Sequence, residues 1–168
     1  MEITKRELKS FKERKFPKRI IFKPIGIIHS PFKTLKGIPI QSSMSESLGT
    51  IEIFPEYSEA LKDLDKFSHI ICLYYFDMVK LPIPLQSKPF LVDRKLGVFT
   101  TRTPFRPNPI GISTLNLIKI ENNIISVSDI DILDNTPLLD IKPFVSAFDI
   151  RTNSKNGWLE GNVKKMTS

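Results

Sequence analysis

The sequence has 168 residues, of which 40% are hydrophobic and 26% are charged. This length and composition suffice for one compact core, but the chain is too short for a second domain of ordinary size. No apolar stretch approaches the roughly 20 residues that cross a bilayer, and the charged N-terminus does not resemble a secretory signal, so we expect a cytoplasmic protein without membrane contact. The single cysteine, Cys72, excludes an intramolecular disulfide and a multi-cysteine zinc site.

The positive charge is concentrated at the N-terminus. Residues 1–23 hold nine Lys and Arg against three Glu, a net of +6, whereas residues 24–168 hold sixteen against fifteen Asp and Glu, a net of +1. A basic segment of this kind either contacts nucleic-acid phosphates or acts as a solubilising tail. Composition alone leaves both interpretations open, and we treat residues 1–23 as a basic N-terminal extension.

The pattern of apolar and turn-forming residues predicts mainly β structure. Strands are predicted, in chain order, at residues 19–28, 48–54, 68–76, 96–101, 112–120 and 124–133. The clearest helix is predicted at residues 55–67, starting at Pro55, and a short basic helix is possible at residues 1–16. Residues 30–47 and the proline-rich stretch 81–89 are predicted to be loops.

This order predicts a small, single-domain β-barrel at residues 24–150 with one or two short helices, followed by a C-terminal tail at residues 151–168. A doubly wound Rossmann sheet is excluded because strands and helices do not alternate. No two of the seven glycines lie two residues apart, so the G-x-G turn of dinucleotide-binding sheets is also absent. In the tail, Trp158 could cover the end of the barrel, contribute to a dimer interface or stack on a base.

The first informative segment, residues 97–113, reads G-V-F-T-T-R-T-P-F-R-P-N-P-I-G-I-S. Its closely spaced prolines restrict the backbone, so Arg102 and Arg106 lie on a stiff connection between strands. A stiff loop that presents arginine suits recognition of carboxylate or phosphate groups. A structural turn with solvated arginines is the alternative.

The second segment, residues 129–144, carries four aspartates in its first twelve positions among apolar residues. Asp134 and Asn135 favour a left-handed turn whose amides could face a ligand. The segment contains no histidine, and we expect no metal site there.

These two segments resemble the signatures of the TsaA/TrmO family, G-V-F-A-T-R-S-P-x-R-P-N-P-I-G-x-S and D-x-x-D-G-T-P-x-x-D-I-K-P-Y. Residues 24–32 and 67–69 are similar to the I-G-x-I-x-S-P-Y and F-S-H blocks of the same family. The resemblance implies a non-Rossmann β-barrel methyltransferase that uses S-adenosylmethionine, assembles as a homodimer and methylates N6 of threonylcarbamoyl-adenosine beside the anticodon of tRNA.

The resemblance also implies a set of site residues. The expected cofactor contacts are Pro39, Ile40, Gln41, Asp77, Met78, Arg102, Ile112, Asp131, Ile132, Leu133, Asp134, Asn135 and Thr136. Arg106 and Lys142 are expected to contact the substrate or tRNA. The sequence departs from the family pattern at Asn135, where glycine is usual, at Ile40, where a basic residue is expected, and at Asp77, where several relatives carry histidine.

Methylation of an amide-like nitrogen requires that it lose a proton, and Asp140 is our candidate for the base. Asp131 or Asp134 could instead contact the ribose or amino group of the cofactor. Two other functions fit the same residues: a barrel that binds S-adenosylmethionine or RNA without catalysis, and a methyltransferase for another acceptor.

Overall fold

The structure is a computed structural model that describes residues 15–89 and 91–161. Its strands are β1 (Gly26–His29), β2 (Gly49–Ile53), β3 (His69–Tyr75), β4 (Gln86–Ser87), β5 (Leu96–Gly97), β6 (Ile110–Glu121), β7 (Ile124–Ser128) and β8 (Thr136–Pro143). One α-helix, α1 (Ser146–Asp149), and short 3-10 helices at Ser42–Met44, Pro55–Leu61, Leu64–Lys66, Val98–Thr100 and Gly157–Leu159 complete the described part. No helix among these residues is long and apolar enough to span a membrane.

Six antiparallel strands close into a barrel in the order β1-β2-β7-β6-β3-β8, and β4 pairs with β5 in a separate small sheet. The predicted fold, a mainly β barrel with short helices, is therefore confirmed. Alternate residues of each strand point inwards, as on β3, where Ile70, Cys72 and Tyr74 are buried. Complete burial raises the pKa of the Cys72 thiol, as is usual for an unreactive core cysteine.

Strand β8 was not predicted from the sequence, in which its residues were interpreted as part of the candidate site. It closes the barrel by pairing with β1 and β3. Pro137 and Pro143 lie near its two ends and lack amide donors, which argues against a strand when the sequence is considered alone. Only the inward residues Thr136 and Leu138, at the start of the strand, are buried, so the segment shows the alternation of a strand over a short stretch only.

Three predicted strands are shorter than expected. The strand predicted at 19–28 begins only at Gly26, since residues 15–25 have no regular structure. The strand predicted at 96–101 ends at Gly97, where a 3-10 turn begins. The one predicted at 124–133 ends at Ser128, because Asp129 adopts a left-handed conformation with φ of 66°.

The predicted helix at 55–67 is two 3-10 segments, Pro55–Leu61 and Leu64–Lys66. Asp63, with φ of 65°, breaks the helical path between them. The helix considered for residues 1–16 lies almost wholly outside the described residues. A tight turn joins β6 to β7, with Asn122 at φ of 57°.

Candidate functional site

A cavity of about 450 Å³ opens at one end of the barrel. The end is built where β3 finishes and β6 and β8 begin, together with the loops that follow β1 and β7. The cavity is lined by Leu35, Ile38, Pro39, Ile40, Gln41, Tyr74, Phe76, Asp77, Met78, Val79, Thr101, Arg102, Pro104, Phe105, Arg106, Ile110, Gly111, Ile112, Asp131, Ile132, Leu133 and Thr136. This size suits a small-molecule ligand, and the lining is mainly apolar with a few polar groups.

The structure brings most of the predicted cofactor residues into this one cavity, although they come from five separate stretches of the chain. Those that line it are Pro39, Ile40, Gln41, Asp77, Met78, Arg102, Ile112, Asp131, Ile132, Leu133 and Thr136, and Arg106 joins them. Asp134, Asn135, Asp140 and Lys142 are not among the lining residues.

Arg102 joins two of the converging loops. Its Nη1 donates a hydrogen bond of 2.7 Å to Oε1 of Gln41, sixty-one positions away along the chain. The Arg102 side chain is exposed, and within residues 15–89 and 91–161 Gln41 is the one hydrogen-bond partner of its guanidinium. A guanidinium has five N–H donors, so the contact to Gln41 leaves the geometry needed for a carboxylate or phosphate available.

Arg106 has a different local role. Its Nη1 donates to the carbonyl oxygens of Thr101 at 2.7 Å and Val98 at 3.3 Å, and its guanidinium lies 5.9 Å from the centre of the Phe99 ring. These contacts hold the loop before β6 in shape. Trp158 supports the same loop from the C-terminal segment by donating from Nε1 to the carbonyl of Thr100 at 2.7 Å. The C-terminal segment therefore contacts the loop that carries Arg102 and Arg106.

Asp131 is held by a buried chain of hydroxyl groups. Ser113 Oγ donates a hydrogen bond of 2.6 Å to Asp131 Oδ1, and Tyr74 Oη lies 3.1 Å from the same Ser113 oxygen. Both hydroxyl residues are buried, while Asp131 is half-buried and lines the cavity. Burial raises the pKa of Asp131 above its usual range; the Ser113 hydrogen bond and the charge of Arg102 oppose that rise.

Sequence reasoning missed Tyr74 and Ser113. Ser113 is the last residue of the first signature, and on β6 it occupies an inward position between the buried Gly111 and Leu115. A hydroxyl at an inward position of an apolar strand was the signal that could have identified it, since buried polar groups require a partner. No comparable signal marks Tyr74, which reads as an ordinary core aromatic residue.

The turn at Asp134 and Asn135 forms as predicted, with Asn135 at φ of 63°. Asp134 faces away from the cavity and fixes the start of the β1–β2 loop: it accepts from the Ser30 amide at 2.9 Å and pairs with Lys33 Nζ at 2.6 Å. These contacts, Lys33 first, lower the pKa of Asp134. The turn therefore positions the cavity wall at Leu133 and Thr136 rather than lining it.

Asp140 and Lys142 lie on the outer surface of the barrel wall. Asp140 is opposite Leu73 on β3. Because the neighbours of Leu73, Cys72 and Tyr74, point inwards, the side chains of Leu73 and Asp140 project outwards. Lys142 Nζ lies 2.8 Å from Asp140 Oδ2 and pairs with it. The geometry thus gives no support to Asp140 as a base at this cavity or to Lys142 as a contact within it.

A closed antiparallel barrel whose end cavity combines apolar walls with two arginines and a half-buried carboxylate defines a β-barrel protein of non-Rossmann type with a ligand-sized cavity. The family model of the tRNA-methyltransferase O N-terminal domain matches residues 27–150. The chain belongs to the tRNA-methyltransferase O family.

Relatives carry names of two kinds. A probable S-adenosyl-L-methionine-binding protein of Pyrococcus abyssi is 54% identical over 151 residues, 89% of this chain and 82% of its own length. The mouse tRNA (adenine(37)-N6)-methyltransferase is 35% identical over 142 residues, 80% of this chain and 33% of its own. The crystal structure of TrmO from Pseudomonas aeruginosa superposes with a TM-score of 0.70 at 36% identity, covering 83% of this chain and 62% of that one. The chain thus spans only a third of the mouse enzyme and under two thirds of the bacterial structure.

Proposed function

We propose that this protein is an S-adenosylmethionine-dependent methyltransferase that acts on N6 of adenine in tRNA. The observation that carries the proposal is the convergence of the predicted cofactor residues, from residues 39–41 to Thr136, on one end cavity. The relatives' names support the same activity, since some are called S-adenosyl-L-methionine-binding proteins and others tRNA (adenine(37)-N6)-methyltransferases.

The donor set of the cavity fits the proposed cofactor. Arg102 is suited to its carboxylate, and the walls formed by Phe76, Ile132 and Leu133 are suited to its adenine ring. When bound, S-adenosylmethionine would supply the methyl group. The protein's own contribution is to hold donor and acceptor in line, which supplies most of the acceleration of such a displacement.

For the acceptor we propose threonylcarbamoyl-adenosine next to the anticodon. Its threonyl group carries a carboxylate, and Arg106 lines the same cavity as the proposed cofactor contacts. We further propose that the protein works in the cytoplasm as a homodimer. Large apolar side chains are exposed around the cavity, including Met78 at 67%, Phe105 at 56% and Ile112 at 53%, and a second subunit would cover such a patch.

The activity can be tested with purified protein and methyl-labelled S-adenosylmethionine. Two tRNA samples are compared: one carrying threonylcarbamoyl-adenosine and one transcribed without modification. Mass spectrometry of the nucleosides should find one added methyl group on N6 of the modified adenosine, in the first sample only. Arg102→Ala should reduce the labelling, whereas the matched control Arg151→Ala, at an exposed arginine that does not line the cavity, should behave as wild type.

Three other results would change the proposal. Equal labelling of both tRNA samples would remove the threonylcarbamoyl specificity but leave the methyltransferase activity. Cofactor binding in calorimetry without labelling of any RNA would favour a non-catalytic binding barrel. A monomer mass in sedimentation at micromolar protein would contradict the homodimer.

A further inference from the structure

We propose that Asp131 is the base that removes the proton from the acceptor nitrogen, and that Ser113 and Tyr74 are positioning residues that orient its carboxylate. The inference rests on the proposed methyltransferase function. It assigns proton removal to a residue that lines the cavity, because Asp140 lies on the outer surface of the barrel wall. It starts from the buried hydroxyl chain, because buried polar groups arranged in series around one carboxylate are more than packing requires.

The hydrogen bonds in this chain have a defined direction. An ionised carboxylate can only accept, so the 2.6 Å contact uses the single hydroxyl hydrogen of Ser113. Ser113 then has only lone pairs to offer Tyr74, and the 3.1 Å contact is therefore a donation from Tyr74 Oη. Tyr74 therefore donates to Ser113, which donates to Asp131. This chain holds one carboxylate oxygen of Asp131 in place, and Asp131 also lines the cavity.

The alternatives within the cavity are few. Among the described residues that line it, the carboxylates are Asp77 and Asp131, and neither histidine of the chain is present. Asp77 follows β3 and is exposed at the rim, whereas Asp131 is half-buried and fixed by two strands. Of the two, Asp131 has the defined orientation that proton transfer in a transition state requires.

Methyl transfer to N6 and proton transfer to Asp131 together conserve all atoms and electrons. The N6 electron pair forms a bond to the methyl carbon, and the carbon–sulfur bond breaks with its electrons remaining on sulfur. The N6 proton passes to a carboxylate oxygen of Asp131, which becomes a carboxylic acid and later returns the proton to water. No oxidant or reductant is needed. The uncharged product nitrogen is what distinguishes this route from methylation without a base.

The electrostatic surroundings suit this role. Burial raises the pKa of Asp131 and makes it a stronger base than an ordinary aspartate, while the hydrogen bond from Ser113 and the charge of Arg102 oppose that rise. The other titratable groups near it are Tyr74 and Cys72 on β3, with Asp77 and Arg106 in the same cavity. Removing the Ser113 hydroxyl takes away a stabiliser of the charged form, so the pKa of Asp131 should rise further.

The test compares Asp131→Asn, Ser113→Ala, Ser113→Thr and Tyr74→Phe with wild type. Single-turnover methyl transfer to tRNA is measured across pH, and cofactor binding is measured separately by calorimetry. We expect Asp131→Asn to lose about 100-fold or more in transfer rate while the cofactor Kd stays within about threefold. In Ser113→Ala, the acid limb of the rate profile should move to higher pH, with a smaller shift in Tyr74→Phe. Ser113→Thr, which keeps the hydroxyl, should restore the wild-type limb.

Several results would overturn the inference. Asp131→Asn could transfer methyl at the wild-type rate, or its loss could be matched by an equal loss of cofactor affinity, which would make Asp131 a cofactor contact. An unmoved acid limb in both Ser113→Ala and Tyr74→Phe would remove the positioning role, and Tyr74→Phe keeps that test available if Ser113→Ala does not fold. A wild-type protein that methylates no tRNA would instead refute the proposed function itself.

Discussion

The ring of Tyr74 lies directly against Gly111, its partner across β3 and β6, so that a Cβ added at Gly111 would overlap the ring. The missing side chain at Gly111 is what allows the Tyr74 ring to lie flat on the neighbouring strand. From that position Tyr74 Oη reaches Ser113. The glycine in the family signature is thus linked physically to the hydroxyl chain that ends at Asp131.

We therefore expect Gly111→Ala to displace the Tyr74 ring, to destabilise the fold by about 1–3 kcal/mol and to slow methyl transfer. Chemical denaturation and single-turnover assays measure the two effects. Gly97→Ala is the matched control, because nothing lies within 4 Å of a Cβ added there and the backbone φ of −63° suits alanine. Equal stability of the two variants would contradict the close contact between Gly111 and Tyr74.

Arg102→Ala should weaken S-adenosylmethionine binding by about 10- to 100-fold, since a charge-assisted hydrogen bond contributes roughly 1.5–3 kcal/mol. Gln41→Ala should weaken it less, because Gln41 orients the guanidinium through the 2.7 Å hydrogen bond but leaves its charge in place. Calorimetry gives both affinities, and circular dichroism establishes that the barrel persists. If Gln41→Ala were as damaging as Arg102→Ala, Gln41 would itself be the principal contact.

Asp134→Asn should lower stability at neutral pH and have little effect in acid. The folded state lowers the pKa of Asp134, so its ionised form stabilises the fold above the ordinary aspartate pKa. That contribution is lost as pH falls through the folded-state pKa. Because Lys33 is largely exposed, we expect at most about 1 kcal/mol. Denaturation midpoints across pH measure it, with Asp65→Asn, at an exposed aspartate, as the control. A difference that persists unchanged in acid would contradict the assignment.

The fold class could be predicted because most barrel strands show clear alternation and because turn residues such as Asn122 and Asn135 mark where strands end. Strand β8 could not, since Pro137 and Pro143 hide it and its inward stretch is short. Strand ends were also misplaced where the left-handed backbone of Asp129 intervenes, because aspartate there is compatible with either conformation.

The site was predictable to the extent that its residues lie in recognisable segments. Arg102 and Asp131 are examples, and both line the cavity. The role of Asp140 could not be assigned, because a one-residue register shift opposite Leu73 and Tyr74 decides which side of the wall the β8 side chains beyond Leu138 occupy. Sequence spacing does not reveal such a shift.

The last prediction concerns the contribution of the basic N-terminal extension, residues 1–23, to tRNA binding. Within its described part, Lys15, Lys18, Arg19 and Lys23 are exposed, and residues 15–23 belong to no strand or helix. The barrel's own hydrogen bonds start at Ile25, whose amide donates to Leu138 at 2.8 Å. A chain that begins at Pro24 should therefore keep the barrel and its cofactor affinity.

We expect this shortened chain to bind tRNA more weakly and with a shallower salt dependence, because each lost phosphate contact removes about 0.7–0.9 from the slope of log affinity against log salt. Binding titrations at several salt concentrations measure the slope. A full-length variant with Lys18, Arg19 and Lys23 changed to serine separates charge from length and should reproduce part of the loss. Identical slopes for all three proteins would mean that the extension is a solubilising tail, and tRNA would then have to be held by the barrel alone.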